Sequence, residues 1–189
     1  FFNYFKYYLK TSIMCEKLII QSPLNLNLKD LTDLCLLKEQ HWPIGLKKQF
    51  GLWFYISNKN DKLIYIEKKQ LKIAFLRLKL RRIFIGKQII NSYYLTEVCV
   101  DKNYQNKGWG KRIINESQNI IIKDKINAHL LCHRDQKEFY LNLGWIYIKQ
   151  IFTKETLNAN IQKVSNEKAC LFYNLEYQRE KITLIGKIF

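Results

Sequence analysis

Proline is almost missing from this chain, with two residues in 189, and glycine is scarce at seven. That excludes proline-rich, collagen-like and glycine-linker architectures. With no internal repeat and no composition break, a single domain is expected, long enough to bury a real core. Acidic residues are also short, 16 against 32 basic, which excludes an acidic solvating chain and leaves a net charge of +16. No apolar run approaches the roughly 20 residues of a membrane-spanning helix. The five cysteines (Cys15, Cys35, Cys99, Cys132, Cys170) are odd in number and form no Cys-x-x-Cys pair. Nor is there a signal-like apolar core with a small-residue cleavage site. Reduced thiols and a cytoplasmic location are the expectation, not a disulfide framework. His129 and His133 flank Cys132, but neighbouring strand residues face opposite sides, so no metal site is expected there. Methionine occurs once, at Met14. The aromatic-dense stretch Phe1–Lys10 is read as part of an extension, residues 1–13, ahead of a translation start at Met14. The other reading, an interfacial anchor, asks too much of so short and lightly basic a segment.

What the chain does have is apolar bulk, 48% hydrophobic and 14% aromatic residues, which excludes intrinsic disorder. Its periodicities give an α/β fold with a mostly antiparallel sheet flanked by helices. Strands are expected at Glu16–Gln21, Lys62–Lys68, Lys72–Ile85, Gln88–Val100, 128–133, 145–150, Lys168–Glu176 and Lys181–Phe189. Helices are expected from about Asn27 to Gln40, where Pro43 stops the run, at 108–124 and at 134–143. His41–Tyr55 reads as irregular or a short helix, and Phe152–Glu167 as a loop. Leu76, Leu78 and Leu80 alternate with Arg77, Lys79 and Arg81, the pattern of a half-exposed antiparallel strand. The 26 lysines and 6 arginines are scattered along the chain. Lysine, asparagine and isoleucine are abundant together, as AT-rich codon usage produces. The net charge alone would suit a nucleic-acid partner, but the scatter of the lysines and the lack of a nucleic-acid motif of recognised spacing argue against one.

The most specific feature is Val100-Asp101-Lys102-Asn103-Tyr104-Gln105-Asn106-Lys107-Gly108-Trp109-Gly110-Lys111. A β-prone stretch leads in, and a helix follows with Gly110, Ile113, Ile114, Ser117, Ile120 and Ile121 on one face. Strand, glycine-bearing loop and helix start is an arrangement that holds phosphate on open N–H groups at the positive end of a helix dipole. Lys107, Lys111 and Arg112 add charge beside it. The nucleotide P-loop fits poorly, because Gly-Lys is followed by Arg and not Ser or Thr. The dinucleotide fingerprint fits poorly too, because position 113 is isoleucine and not a third glycine. Downstream lies a short strand, Ala128–His133. A two-turn helix follows, ending in Phe139-Tyr140-Leu141-Asn142-Leu143-Gly144-Trp145, with Gly144 as its C-terminal cap.

Gln105-x-x-Gly108-x-Gly110, followed at this distance by Phe-Tyr-x-x-x-Gly-aromatic, resembles the GNAT N-acetyltransferase superfamily. The resemblance implies that Gln105, Asn106, Lys107, Gly108, Trp109, Gly110 and Lys111 hold the pyrophosphate of acetyl-CoA. It implies a bulge in the central strand whose freed amides, at Val98, Cys99 and Val100, meet the pantetheine and the thioester carbonyl. It makes Tyr140 the acid that protonates the departing sulfur. Glu97 is the candidate base, directly or through water; the family's frequent strand acid falls nearer Thr96, and a bulge could bring Glu97 back to the site. Two residues depart from the pattern: His133 stands where an asparagine is frequent, and Trp109 exceeds the usual Ile or Leu. A looser likeness, in Ala74–Gly86 and in the C-terminal stretches Leu171–Glu176 and Ile185–Phe189, is to aminoglycoside 2′-N-acetyltransferases and nodulation N-acyltransferases, which modify an amine on a sugar.

The function implied is transfer of an acetyl group from acetyl-CoA to a primary amine of a small molecule, an amino sugar being one option. Alternatives are an N-acyltransferase using a longer acyl-CoA or acyl-carrier-protein donor, and a non-catalytic basic protein that binds CoA or nucleic acid. The basic exterior suits an anionic coenzyme and disfavours a polycationic acceptor such as an aminoglycoside. Oligomeric state is open, with a homodimer as one possibility.

Overall fold

The computed structural model describes residues 16–155, 159–176 and 181–186. The expected extension 1–13, Met14, Cys15 and the last residues of the final expected strand lie outside them. The fold is built on two long strands, β3 (Leu71–Ile85) and β4 (Gln88–Val100). They pair antiparallel from Ile85↔Gln88 to Ala74↔Val100, across a turn in which Gly86 takes φ +58°. The outer edge of β3 is shared. Its first half carries β2 (Lys62–Lys68), and β1 (Glu16–Gln21) pairs with β2 in turn.

The second half of β3 carries the far C-terminal strand β10 (Ile182–Ile185), which pairs parallel with β7 (Ile151–Lys154). A two-residue β8 (Gln162–Lys163) closes that edge. On the other side β4 pairs parallel with β5 (Asn127–His133), followed by β9 (Lys168–Tyr173) and the short β6 (Ile146–Tyr147). The sheet is therefore mixed and mostly antiparallel, as expected from the alternating strand patterns.

Helices cover both faces. On one face α3 (Trp109–Lys123) buries Ile113, Ile114, Ser117, Ile120 and Ile121, the stripe read from the sequence, against Leu76, Leu78, Leu95 and Leu130. The short α4 (Lys137–Leu141) adds Tyr140 to the same core. It ends in a Schellman cap: Gly144, at φ +81°, donates its N–H to Leu141, and Trp145 donates to Tyr140. On the opposite face lie α1 (Leu28–Glu39) and α2 (Leu46–Ile56). Asn27 starts α1 by accepting the Asp30 N–H at 2.8 Å. Leu31, Leu34, Cys35 and Trp53 pack there against Leu63, Tyr65, Phe75 and Cys99.

Of the two readings of His41–Tyr55 the helical one holds, as α2. Four expectations change. Phe152–Glu167 is not all loop, since it contributes most of β7 and all of β8. The expected helix 134–143 is a 3-10 turn (Arg134–Gln136) followed by the five-residue α4, and the strand expected at 145–150 shrinks to two residues. Most consequential, β3 is not half-exposed. Arg77 is 0% and Lys79 6% exposed, because α1 and α2 cover the face that the alternation assigned to water.

Candidate active site

The centre of the sheet opens at β4. Arg77 sits opposite Thr96, but Phe75 sits opposite Cys99, so Glu97 and Val98 together oppose only Leu76. This is a β-bulge, and Glu97 stands in it at φ +58°. The extra residue shifts the phase of the strand. Tyr93 and Leu95 face the α3 side, and beyond the bulge Val98 and Val100 pack on that side while Cys99 joins the α1 side. Glu97 is thereby freed from the α3 core, where an unbroken alternation would have put it. Its carboxylate instead meets Lys38 of α1 at 2.7 Å and Arg77 Nε at 2.9 Å.

Pairing between β4 and β5 stops at Leu95↔Leu130. Past that point the two parallel strands diverge and enclose a cleft of about 600 Å³. Tyr94, Leu95, Thr96, Glu97 and Val98 line it from β4, and Leu130 to His133 from β5. Tyr140 reaches in from α4, while Trp42, Ile44, Gln49 and Leu52 close it from the α1–α2 side. A smaller hollow of about 100 Å³ near Tyr147, Lys149 and Val164 is too small for a coenzyme.

The electrostatics of the cleft come from few groups. Glu97 is its one lining carboxylate among the described residues. Burial would raise its pKa, but Arg77, Lys38 and Lys79 outweigh burial and hold it below the ordinary range. Arg77 lies fully buried against the Trp53 ring, 4.3 Å from its centroid. Its contact with Glu97 is close but off the hydrogen-bond axis, leaving Nε and Nη2 without an aligned acceptor among the described residues. Lys79 has no hydrogen-bond or ion-pair partner among the described residues, and burial pushes its pKa down to about 8, with Arg77 and Arg81 adding to the fall against the pull of Glu97. Burial raises the Tyr140 hydroxyl well above its ordinary range, so it stays protonated, and it forms no hydrogen bond with the described protein. His129 is sealed in the core beside Ser92 Oγ at 2.8 Å, and His133 is largely exposed beside Asp135.

The glycine loop adjoins this cleft without lining it. Asn106 and Gly108 both take left-handed conformations, at φ +58° and +83°, and Gly108 caps α3. An added side chain at Gly108 would meet open space, so its backbone angle, not crowding, calls for glycine there. The backbone N–H groups of Asn106 through Lys111 donate to no acceptor among the described residues. The Trp109 indole does not stopper the turn: it packs on the α3-side core and lies between Lys68 and Arg112, each 5.2 Å from its ring. The base of the loop is clamped by the end of α1. His41 Nε2 lies 2.8 Å from the Val100 carbonyl, and Gln40 holds both Asp101 and the Lys102 N–H. Phe139 and Val100 flank Gly110, and their chain neighbours lead into the cleft through Tyr140 on α4 and Val98 on β4.

A model of the acetyltransferase (GNAT) domain matches residues 56–161, more than half of the chain. The chain belongs to the GNAT acetyltransferase family. Solved GNAT-type folds agree with it along most of their length. Escherichia coli ElaA superposes with a TM-score of 0.59 at 12% identity, over 84% of this chain and 99% of that one. An acyl-CoA N-acyltransferase from Pseudomonas aeruginosa gives 0.59 at 13% identity, over 84% and 99%. The PaiA N-acetyltransferase of Thermoplasma acidophilum, solved with coenzyme A, gives 0.53 at 16% identity, over 82% and 98%. No curated protein matches the sequence. The family uses acyl-CoA, and the open amides at Asn106–Lys111, the cations at Lys111 and Arg112 and the adjoining cleft are chemically suited to such a molecule.

Of the residues singled out in the sequence, this GNAT domain brings Glu97, Val98 and Tyr140 into one cleft and sets Gln105–Lys111 at its end. The Cys99 side chain turns into the α1-side core, and the Val100 carbonyl is taken by His41. Sequence reasoning missed Lys38, Arg77 and Lys79. The signal was present: α1 and α2 are apolar and need a sheet face to cover, and the cation-bearing face of β3 is the one available.

Proposed function

We propose that this GNAT domain transfers an acetyl group from acetyl-CoA to a primary amine of a small molecule. The observation that carries the reading is a strand opened by a bulge beside a helix start whose six consecutive amides have no partner among the described residues. When bound, acetyl-CoA supplies an activated thioester carbonyl for an amine to attack. The amides of Asn106–Lys111 bind its pyrophosphate, with Lys111 beside them. Bulge amides around Val98 stabilise negative charge on the carbonyl oxygen. Tyr140, kept protonated by burial, donates its proton to the leaving sulfur, and the proton shed by the attacking nitrogen restores the Tyr140 hydroxyl, directly or through water. Glu97 lines the cleft, but its oxygens answer Lys38 and Arg77 and its pKa is held low. It serves as a fixed counter-charge that holds the bulge, not as the group that takes the ammonium proton. The acceptor therefore reacts as its neutral amine, and kcat/KM climbs as pH approaches the amine's own pKa.

The fold and the family match support the acyl-CoA chemistry; an amino sugar is one acceptor of the required kind. The test incubates the full chain with acetyl-CoA and a panel of amines and follows free thiol. Thiol release that depends on an amine, and falls by roughly ten-fold or more in Tyr140→Phe, supports the proposal. Coenzyme binding without turnover on any amine overturns it in favour of a binding protein. A longer acyl chain on coenzyme retained through purification, seen by mass, overturns the acetyl assignment.

A further inference from the structure

The acceptor half of the cleft, resting on the reading just given, lies on the α1–α2 face. Trp42, Ile44 and Leu52 give it an apolar wall, with the buried Gln49 lining it beside them. Its charge is one-sided. Glu97 is neutralised by Lys38 and Arg77, and Lys168 lines the same cleft from β9. Lys79 is left over. It projects from the middle of β3, opposite Tyr94 and two residues from Arg77, on the same face. It is 6% exposed, lines the cleft and has no hydrogen-bond or ion-pair partner among the described residues, whereas the buried Lys38 of α1 and Lys72 of β3 are both ion-paired. An ammonium kept out of water, with only the field of a Glu97 already paired to two other cations to answer it, is costly, and that cost falls when an anion enters the cleft. A polycationic acceptor would make the imbalance worse.

We propose that the acceptor carries an anionic group, a carboxylate or a phosphate, on the same small molecule as its amine, and that Lys79 binds that group. Lys79 is thus a specificity-determining residue. The depression of its pKa to about 8 is consistent with a cation short of a counter-charge. Asp61 lies near Lys79 in the field but is itself buried beside Arg81, 3.7 Å away, and cannot serve.

Matched acceptors test this: phenylalanine against phenylalaninamide, and glucosamine 6-phosphate against glucosamine, with spermidine as polycation. In the wild type the anionic member of at least one pair is expected to show kcat/KM about ten-fold or more above its twin, the scale of one charge-assisted hydrogen bond. The pair that responds tells carboxylate from phosphate. In Lys79→Met the ratio falls toward one through KM, and Lys79→Arg restores much of it. The methionine variant is expected to melt no lower than wild type, since it removes a desolvated charge. Binding of the N-acetylated twins to the CoA-loaded chain, by calorimetry, gives a reading independent of turnover. Discrimination in binding without thiol release would overturn acetyl transfer but uphold the role of Lys79. Thiol release with equal twins, or a preference for spermidine, would overturn the role of Lys79 and leave acetyl transfer standing. Absence of both turnover and discrimination would overturn both.

Discussion

Glu97 occupies a backbone region that costs a non-glycine residue about 1–2 kcal/mol. It is held there by Lys38 and Arg77, which a neutral side chain could not satisfy. Glu97→Gln would leave two buried cations facing an amide, and we expect a loss of about 3 kcal/mol in urea unfolding. A variant that unfolds like wild type but loses turnover would instead make Glu97 a proton carrier. His129 gives a second residue-scale test. Burial, with a smaller push from Arg81, lowers its pKa from 6.5 to about 3, so it is neutral in the fold and protonated in the unfolded chain between those values. The unfolded state then binds more protons, and stability falls as pH drops through 6.5. From pH 7.5 to pH 5 the expected loss is about 2 kcal/mol. His129→Gln, which can still hydrogen-bond Ser92, should remove this part of the pH dependence; an unchanged slope would contradict the assignment.

Among the elements, the glycine turn makes the sharpest claim. Gly108 sits at φ +83° with open space around it, so Gly108→Ala should cost about 1 kcal/mol of stability and little else. Gly108→Glu should also weaken coenzyme A binding by roughly ten-fold or more, by placing a like charge beside the phosphates. Equal affinity in the two variants would separate this turn from the coenzyme. Elements of this kind were legible in the sequence. β4 and α3 are long and strongly periodic, Gly86 and Gly144 punctuate the chain where left-handed backbone angles require it, and Asn27 does so where a helix start needs a side-chain acceptor. β8 was not legible because two residues leave no period to read, and β7 because its pairing with β10 is contributed from thirty residues away. On β3 the alternation was read correctly and its meaning was not. Polar residues at every second position mark one face, but only α1 and α2 decide that this face meets protein, and that Lys79 points into a cleft.

For the whole molecule, the net charge of +16 acts at a distance. It should draw an anionic coenzyme to the loop, and the attraction should weaken as salt shortens the screening length to roughly 5–6 Å at 0.3 M. Coenzyme A affinity is therefore expected to fall severalfold between 0.05 and 0.3 M sodium chloride, about the range over which screening becomes strong. Affinity independent of salt would mean that scattered surface lysines add nothing to binding. The account as a whole depends on where the pyrophosphate sits. A titration of the full chain with coenzyme A, followed by amide NMR, reads this directly. Saturable shifts concentrated at Asn106 to Lys111, with smaller ones at Thr96 to Val98, are predicted. Shifts confined to other surfaces, with those amides unmoved at saturation, would contradict it.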